Sequence, residues 1–303
     1  MADKQPTSYA ACVIEAARQV IQGAKARAVL AYVDAVPNLP QLVSIIKAPV
    51  KLVLIIRSEV DRRAAEPYTD RILEVPDFDL TRMDQIKMAT LLAFSQRMLQ
   101  ADDTFVFLAG PPRKPCDTLV VMHVGEEYEM FQTVDQPRLT EHVKRVVFQR
   151  VLTIALELAN EGREGKPVGG LFVLGNYREL EPLCAQNIIN PFKGYVEKER
   201  NILDDKMKDT VKEFCAFDGA FIIKGTGVIV SAGTTLRPNI AGEPLPQGLG
   251  ARHAAAAAVT ASAKCISITL SESDGTVRVW RRGQIITEIE KAPRHGLAKG
   301  GLG

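Results

Sequence analysis

Apolar residues along the first half of the chain alternate between two spacings. In the stretch TSYAACVIEAARQVIQG they recur at helical intervals after a Ser/Thr start and stop at Gly23, the pattern of a capped amphipathic helix. ARAVLAYV, VKLVLIIR and RILEVP are short β-branched runs that predict strands, the second of them buried. LTRMDQIKMATLLAFSQRMLQ predicts a long helix opened by Thr81, and TFVFLAG and TLVVMHVG two more strands. Strands separated by helices imply an N-terminal three-layer α/β domain with a mostly parallel sheet, over residues 1–137.

The pattern changes after Pro137. RLTEHVKRVVFQRVLTIALELANEG reads as a helix closed by Gly162, GGLFVLG as a strand, and NIINPFKGY as a loop around Pro191 and Gly194. RNILDDKMKDTVKEFCAF reads as a helix with Leu203, Met207, Val211 and Phe214 on one face. The strands GAFIIK, GVIVSAG, KCISITL, TVRVW and QIITEIE follow, punctuated by glycine turns and interrupted by an alanine-rich helix. Residues 138–291 are thus expected to form a mixed α+β domain, a central largely antiparallel sheet flanked by helices. The tail 292–303 is expected to be disordered, the charged run EVDRRAAEP to be a solvated face, and there is no internal repeat.

Composition narrows the class. Apolar content of 46% and charged content of 24% in 303 residues suit a folded protein of about two domains. A net charge of +2 supplies no basic excess for binding nucleic acid. No run approaches the ~20 apolar residues that span a bilayer, and the start MADKQPTSYAAC lacks a signal-peptide core, so a cytoplasmic protein without a membrane partner is expected. Five scattered cysteines without a CxxC point to reduced thiols, and four histidines at 123, 142, 253 and 295 make no zinc motif. Neither a phosphate-binding P-loop nor a nucleophile elbow is present.

Three places carry candidate chemistry. In GARHAAAAAVT the alanine run should be helical from its start, because alanine is the best helix former and the glycines and prolines before Gly250 are not. Arg252 and His253 then stand on the first turn, where unpaired N–H groups and the helix dipole already favour an anion. Gly250 and Ala251 let a phosphate approach the backbone, Arg252 offers a bidentate fork and His253 a further donor. The plain alternative is an exposed arginine and a structural histidine. Asp218-Gly219-Ala220 lies where a helix gives way to a strand, with a glycine that admits a ligand, or else a turn-capping aspartate. Ser271-Glu272-Ser273 ends a strand, facing a cleft or making a hairpin turn.

The order GREGKPVGGLFVLG, NPFKGY, RNILD, KEFCAFDGAFII, GLGARHAAA and LSES resembles the diadenylate cyclase domain over about residues 140–290. That family's signatures are an Asp-Gly-Ala and an Arg-His-Arg motif. Asp218-Gly219-Ala220 matches the first in full; Arg252-His253-Ala254 matches two of three positions in the second. The front half is similar to the C-terminal α/β domain of pyruvate kinase, a pairing reminiscent of archaeal-type diadenylate cyclases.

The resemblance implies an enzyme joining two ATP molecules into cyclic di-AMP with release of two pyrophosphates, between two subunits placed face to face. It implies that Asp218 activates the ribose 3′-hydroxyl, directly or by holding a metal. Gly219 and Ala220 would contact nucleotide, Leu236 would face adenine, and Gly250, Ala251, Arg252, His253 and Ser271 would hold phosphates. Glu272 is implied as a second ligand of Mn²⁺ or Mg²⁺. Ala254 removes a basic side chain that Lys264 or Arg278 could replace, and it keeps open a non-catalytic sensor of ATP or cyclic di-AMP.

Overall fold

A computed structural model describes residues 9–78, 80–100, 103–123, 142–186, 188–237 and 250–290. The first half runs α1 (Tyr9–Gly23), β1 (Ala28–Tyr32), α2 (Leu39–Ile45), β2 (Lys51–Ile56), α3 (Glu59–Ala65), β3 (Ile72–Glu74), α4 (Arg82–Ser95), β4 (Thr104–Ala109) and β5 (Thr118–His123). Its five-stranded sheet has the order β3-β2-β1-β4-β5. All pairs are parallel except β4–β5, so the mostly parallel α/β sheet expected from sequence is present. The central strands β1, β2 and β4 are buried along almost their whole length, as parallel strands covered on both faces should be.

The second half runs α5 (Arg145–Glu161), β6 (Gly170–Gly175), α6 (Tyr177–Leu180), β7 (Cys184–Gln186), α7 (Asp205–Phe214), β8 (Ala220–Lys224), β9 (Ile229–Leu236), α8 (Ala251–Ser262), β10 (Cys265–Leu270), β11 (Val277–Arg281) and β12 (Gln284–Ile289). They build a seven-stranded sheet of order β12-β11-β10-β6-β8-β9-β7. Only β6–β8 is parallel, which agrees with the largely antiparallel expectation.

The period of two along these strands sorts side chains onto two faces. Phe172, Leu174, Phe221, Ile223, Ile266 and Ile268 join a core that continues through α5 and α4 into the first sheet. Leu171, Val173, Ala220, Ile222 and Trp280 face the other way, under Ala256 and Val259 of α8. The small alanines let α8 lie close on that face. The front half therefore packs on the α5 side of the second sheet, with α4 against β12, and α8 covers the opposite side.

Some element boundaries differ from the sequence pattern. The helix expected from residue 138 begins at Arg145. Lys144 N–H bonds Gly225 O at 2.8 Å, tying the residue before the helix to the β8–β9 turn, and the expected start over 138–141 lies outside the described residues. The helix expected over 200–217 is confined to Asp205–Phe214. Asn201 bridges Val228 and Ile202 N–H bonds Gly227 O, so this segment serves the sheet before Asp204 caps the helix. Leu203 is consequently exposed, not on the buried helical face, while Val211 is buried.

The charged run after Ser58 is a true helix, α3, with a Ser58/Asp61 capping box and a mostly solvated surface. The short elements α2, α6 and β7 had no periodic signal. The expected disordered tail 292–303, the division at 137/138 and the Gly/Pro-rich residues just before Gly250 lie outside the described residues.

One polar cluster anchors the front sheet. Arg57, after β2, is buried over the Tyr32 ring at 4.0 Å and pairs with Asp34 after β1 and Gln85 of α4. The Tyr32 hydroxyl donates to Gln85 O at 2.9 Å. These bonds tie β1, β2 and α4 together at one edge.

All five cysteines are free. Burial pushes Cys215 and Cys265 up to about 12, so those thiols stay protonated and inert.

Candidate active site

A cleft of about 770 Å³ opens at the edge of the second sheet where β6 and β8 begin and β10 ends. Topology makes this convergence. Parallel β6 and β8 start side by side, and antiparallel β10 brings Leu270 opposite Gly170. Residues distant in sequence, Gly169, Asp218 and Ser271, thereby reach one rim. The amino end of α8 closes it.

The helix starts where the alanine run predicts. Gly250 is its N-cap, in extended conformation, and makes no side-chain cap bond. No side-chain oxygen caps the first turn, although His253 N–H already donates to Gly250 O at 3.0 Å; the turn stands in a cleft wall that carries Gly250, Ala251, Arg252 and His253.

Arg252 reaches across the cleft. Its Nη2 donates to Asp218 Oδ1 and its Nη1 to Glu272 Oε2, both at 3.2 Å. Asp218 is fully exposed, Glu272 largely so, and the guanidinium is the more enclosed partner. Gly169 makes this possible: a Cβ there would stand 2.9 Å from Arg252 Cζ. Gly219 has φ 109°, and a Cβ would meet the Gly233 carbonyl carbon at 2.7 Å, so only glycine lets β8 start so close to β9. Asp218 is thereby held at the rim, one residue before a tightly fixed backbone.

His253 lies deeper, 6% exposed. Its Nε2 is 3.2 Å from Arg278 Nη1, and its ring is tilted against Trp280 with centroids 6.0 Å apart. Arginine has no acceptor, so Nε2 must accept and Nδ1 must carry the proton. Burial, and then the Arg278 charge, push the imidazole pKa down, in keeping with a neutral ring. Trp280 is fixed in turn by a 2.8 Å bond from its Nε1 to Thr269 Oγ1.

The other residues expected at the site are also brought together. Ala220 and Leu236 line the cleft, Leu236 as the last residue of β9, and Ser271 stands beneath Glu272 with its hydroxyl 3.1 Å from that of Ser273. Of the two cations left open as replacements at Ala254, Arg278 lines this cleft. Lys264 lines a different cavity at the carboxyl end of α8. Gly169, Thr234 and Asp274 were not foreseen. Thr234 is buried and bonds Gln186 Oε1 at 3.0 Å, and Asp274 accepts from Thr276 N–H at 2.8 Å. Burial works against ionisation of Asp274, but bonds from Ser271 and Thr276 hold its pKa below the usual value.

The donor set suits a divalent cation shared with a ligand. Among the described residues no three metal-binding side chains cluster, so the protein offers two carboxylates, Asp218 and Glu272, with a guanidinium between them. Magnesium-type sites commonly use one or two carboxylates and complete their shell with substrate phosphates.

A nucleotide-binding domain is the class that the comparisons attach to this half of the chain. The family model of the DisA bacterial checkpoint controller nucleotide-binding domain matches residues 157–285, and that of the probable sensor domain DacZ_P matches residues 11–133. A diadenylate cyclase of Methanocaldococcus jannaschii is 37% identical over 207 residues, covering 65% of this chain and 63% of its own length. A diadenylate cyclase of Haloferax volcanii is 36% identical over 213 residues, covering 68% of this chain and 75% of its own length. The solved structure of DacA from Staphylococcus aureus aligns with a TM-score of 0.30 at 19% identity, covering 47% of this chain and 85% of that one. The chain belongs to the diadenylate cyclase family. The alignment leaves more than a third of the Methanocaldococcus protein unmatched.

Proposed function

We propose that this chain condenses two ATP molecules into cyclic di-AMP and two pyrophosphates. The observation that carries this is Arg252, held between Asp218 and Glu272 at the uncapped start of α8. In each half-reaction a ribose 3′-oxygen forms a bond to the α-phosphorus of the other ATP. The bond from that phosphorus to the bridging α–β oxygen breaks, pyrophosphate leaves, and the 3′-hydroxyl proton must be taken up.

Asp218 is exposed at the rim and accepts that proton or shares a cation with the triphosphate. Mn²⁺ or Mg²⁺ held by Asp218 and Glu272 would neutralise phosphate charge. Arg252 and the first N–H groups of α8 bind the phosphates, with Ser271 beside them. Gly219 and Ala220 give the nucleotide close backbone approach, and Leu236 offers an apolar surface to adenine.

A single cleft supplies one ATP, so the reading requires a second copy placed face to face, at least as a transient symmetric pair. No helix of the described residues is long and apolar enough to cross a membrane. We place the protein in the cytoplasm, without nucleic acid or membrane as partners. We assign residues 1–137 to a pyruvate-kinase C-terminal-like unit that senses an effector and residues 138–291 to the catalytic unit.

Purified protein incubated with ATP and Mn²⁺ or Mg²⁺ should yield cyclic di-AMP on anion-exchange chromatography. Absence of product with both metals across a range of pH contradicts the reading. Ala254 favours a second reading, a sensor that binds ATP or cyclic di-AMP without turnover; binding by calorimetry with no product would support it.

A further inference from the structure

The cleft has an uneven charge distribution. Its charged lining residues among those described are Asp218, Arg252, Glu272, Asp274 and Arg278. Arg252 is engaged by two carboxylates, so the side of the cleft nearest Asp218 carries no spare positive charge. Ala254 adds none. Arg278 is the other cation, and it enters from β11, on which α8 packs.

Its placement is fixed on two sides. Nε donates to Glu288 Oε1 at 2.7 Å, directly across the β11–β12 pair. Nη1 donates to the buried His253 Nε2 at 3.2 Å. Nη2 lies 3.9 Å from Asp274 Oδ2, too far for a hydrogen bond. Arg278 is thus held by Nε and Nη1, and Nη2 makes no short bond among those described. His253, conversely, has Nε2 committed to a guanidinium. Its ring stands between α8 and Trp280, a rigid setting for an acceptor.

We propose that Arg278 is a phosphate-binding residue of this cleft, and that His253 is its positioning residue, steering the guanidinium through Nε2 without itself touching the ligand. The proposal rests on the ATP reading and assigns the positive charge that Ala254 lacks. Asp274 and Glu288 balance the half-buried arginine when no anion is bound, and a triphosphate would take over the Nη2 edge now facing Asp274.

The test uses the full chain and two probes, α,β-methylene-ATP, which cannot release pyrophosphate, and adenosine, which has no phosphate. Arg278→Met keeps the bulk of the side chain and removes its charge. It should weaken the triphosphate at least tenfold in calorimetry, leave adenosine binding unchanged, and raise KM for ATP more than it lowers kcat. His253→Leu should reproduce this loss, and the double variant should be no weaker than Arg278→Met alone. His253→Gln keeps an acceptor oxygen and should retain most of the wild-type affinity.

Equal losses for adenosine and the triphosphate would make Arg278 a packing residue and overturn the proposal. So would unchanged triphosphate binding by Arg278→Met, or losses that multiply in the double variant. Wild-type protein that binds the analogue as tightly as Arg278→Met does would overturn this assignment alone, and wild-type protein that binds adenosine but not the analogue would overturn the ATP reading as well. Wild-type protein that binds neither would overturn the ATP reading with it.

Discussion

Arg252 Nη2 lies 3.2 Å from Asp218 Oδ1, joining the first turn of α8 to the residue that precedes β8. The same guanidinium reaches Glu272, so one cation already stands between the two carboxylates proposed to hold a metal. A metal ion bound there would compete with Arg252 for these oxygens, and a triphosphate would relieve the competition by giving Arg252 a new partner. Arg252→Gln should bind Mn²⁺ alone severalfold more tightly than wild type, measured by the paramagnetic resonance signal of free Mn²⁺. The same variant should bind ATP about tenfold or more weakly, as expected for a lost charge-assisted contact. Weaker Mn²⁺ binding in the absence of nucleotide would contradict the competition.

Two glycines at the cleft should respond differently to an added methyl group. At Gly219 the methyl meets backbone and the φ of 109° is unfavourable for alanine. Gly219→Ala should cost about 1–3 kcal/mol in urea unfolding. At Gly169 the methyl meets the end of the Arg252 side chain, which can move. Gly169→Ala should unfold near the wild-type midpoint but show a raised KM for ATP, because the methyl group displaces the guanidinium from the place where it would meet the triphosphate. Similar unfolding losses for both would contradict this distinction.

Much of the fold was legible because its signals are local. Gly23 stops α1, Thr81 caps α4, and the alanine run starts α8 at Ala251. The misplaced boundaries come from long-range bonds. Nothing in the sequence around Asn201 announces its bridge to Val228, and Leu203 fits a helical face that the chain does not form there. The site divides in the same way. Asp218, Arg252 and Glu272 stand at ends of recognisable elements. Gly169 became part of the site only when β6 was placed between β8 and β10. Arg278 carried a weaker local signal, a charged residue between two valines of β11.

The front half has a test of its own. Arg57 is buried and Asp34 Oδ1 has no hydrogen-bond partner among the described residues, so Arg57 is the cation that compensates this carboxylate. Arg57→Ala leaves the charge behind and should cost about 3 kcal/mol in urea unfolding. A loss below about 1 kcal/mol, no more than an exposed pair is worth, would show that the cluster does not hold the sheet edge together.

His253 makes stability depend on pH. Its folded pKa lies below the ordinary 6.5, so between the two values the unfolded chain binds more protons than the folded one. The stabilisation is complete above pH 6.5 and declines as pH falls towards the folded value. His253→Gln should flatten that part of the profile of urea midpoint against pH. An unchanged slope in the variant would assign the dependence to other groups.

In the proposed reaction Asp218 performs chemistry at the cleft. Its side chain is fully exposed, so removing its charge should leave the fold intact. The most direct measurement is the yield of cyclic di-AMP from ATP with Mn²⁺ or Mg²⁺ by wild type and by Asp218→Asn, each checked for the same melting temperature. Wild type should give product and Asp218→Asn none above background. Equal yields from the two proteins would contradict it.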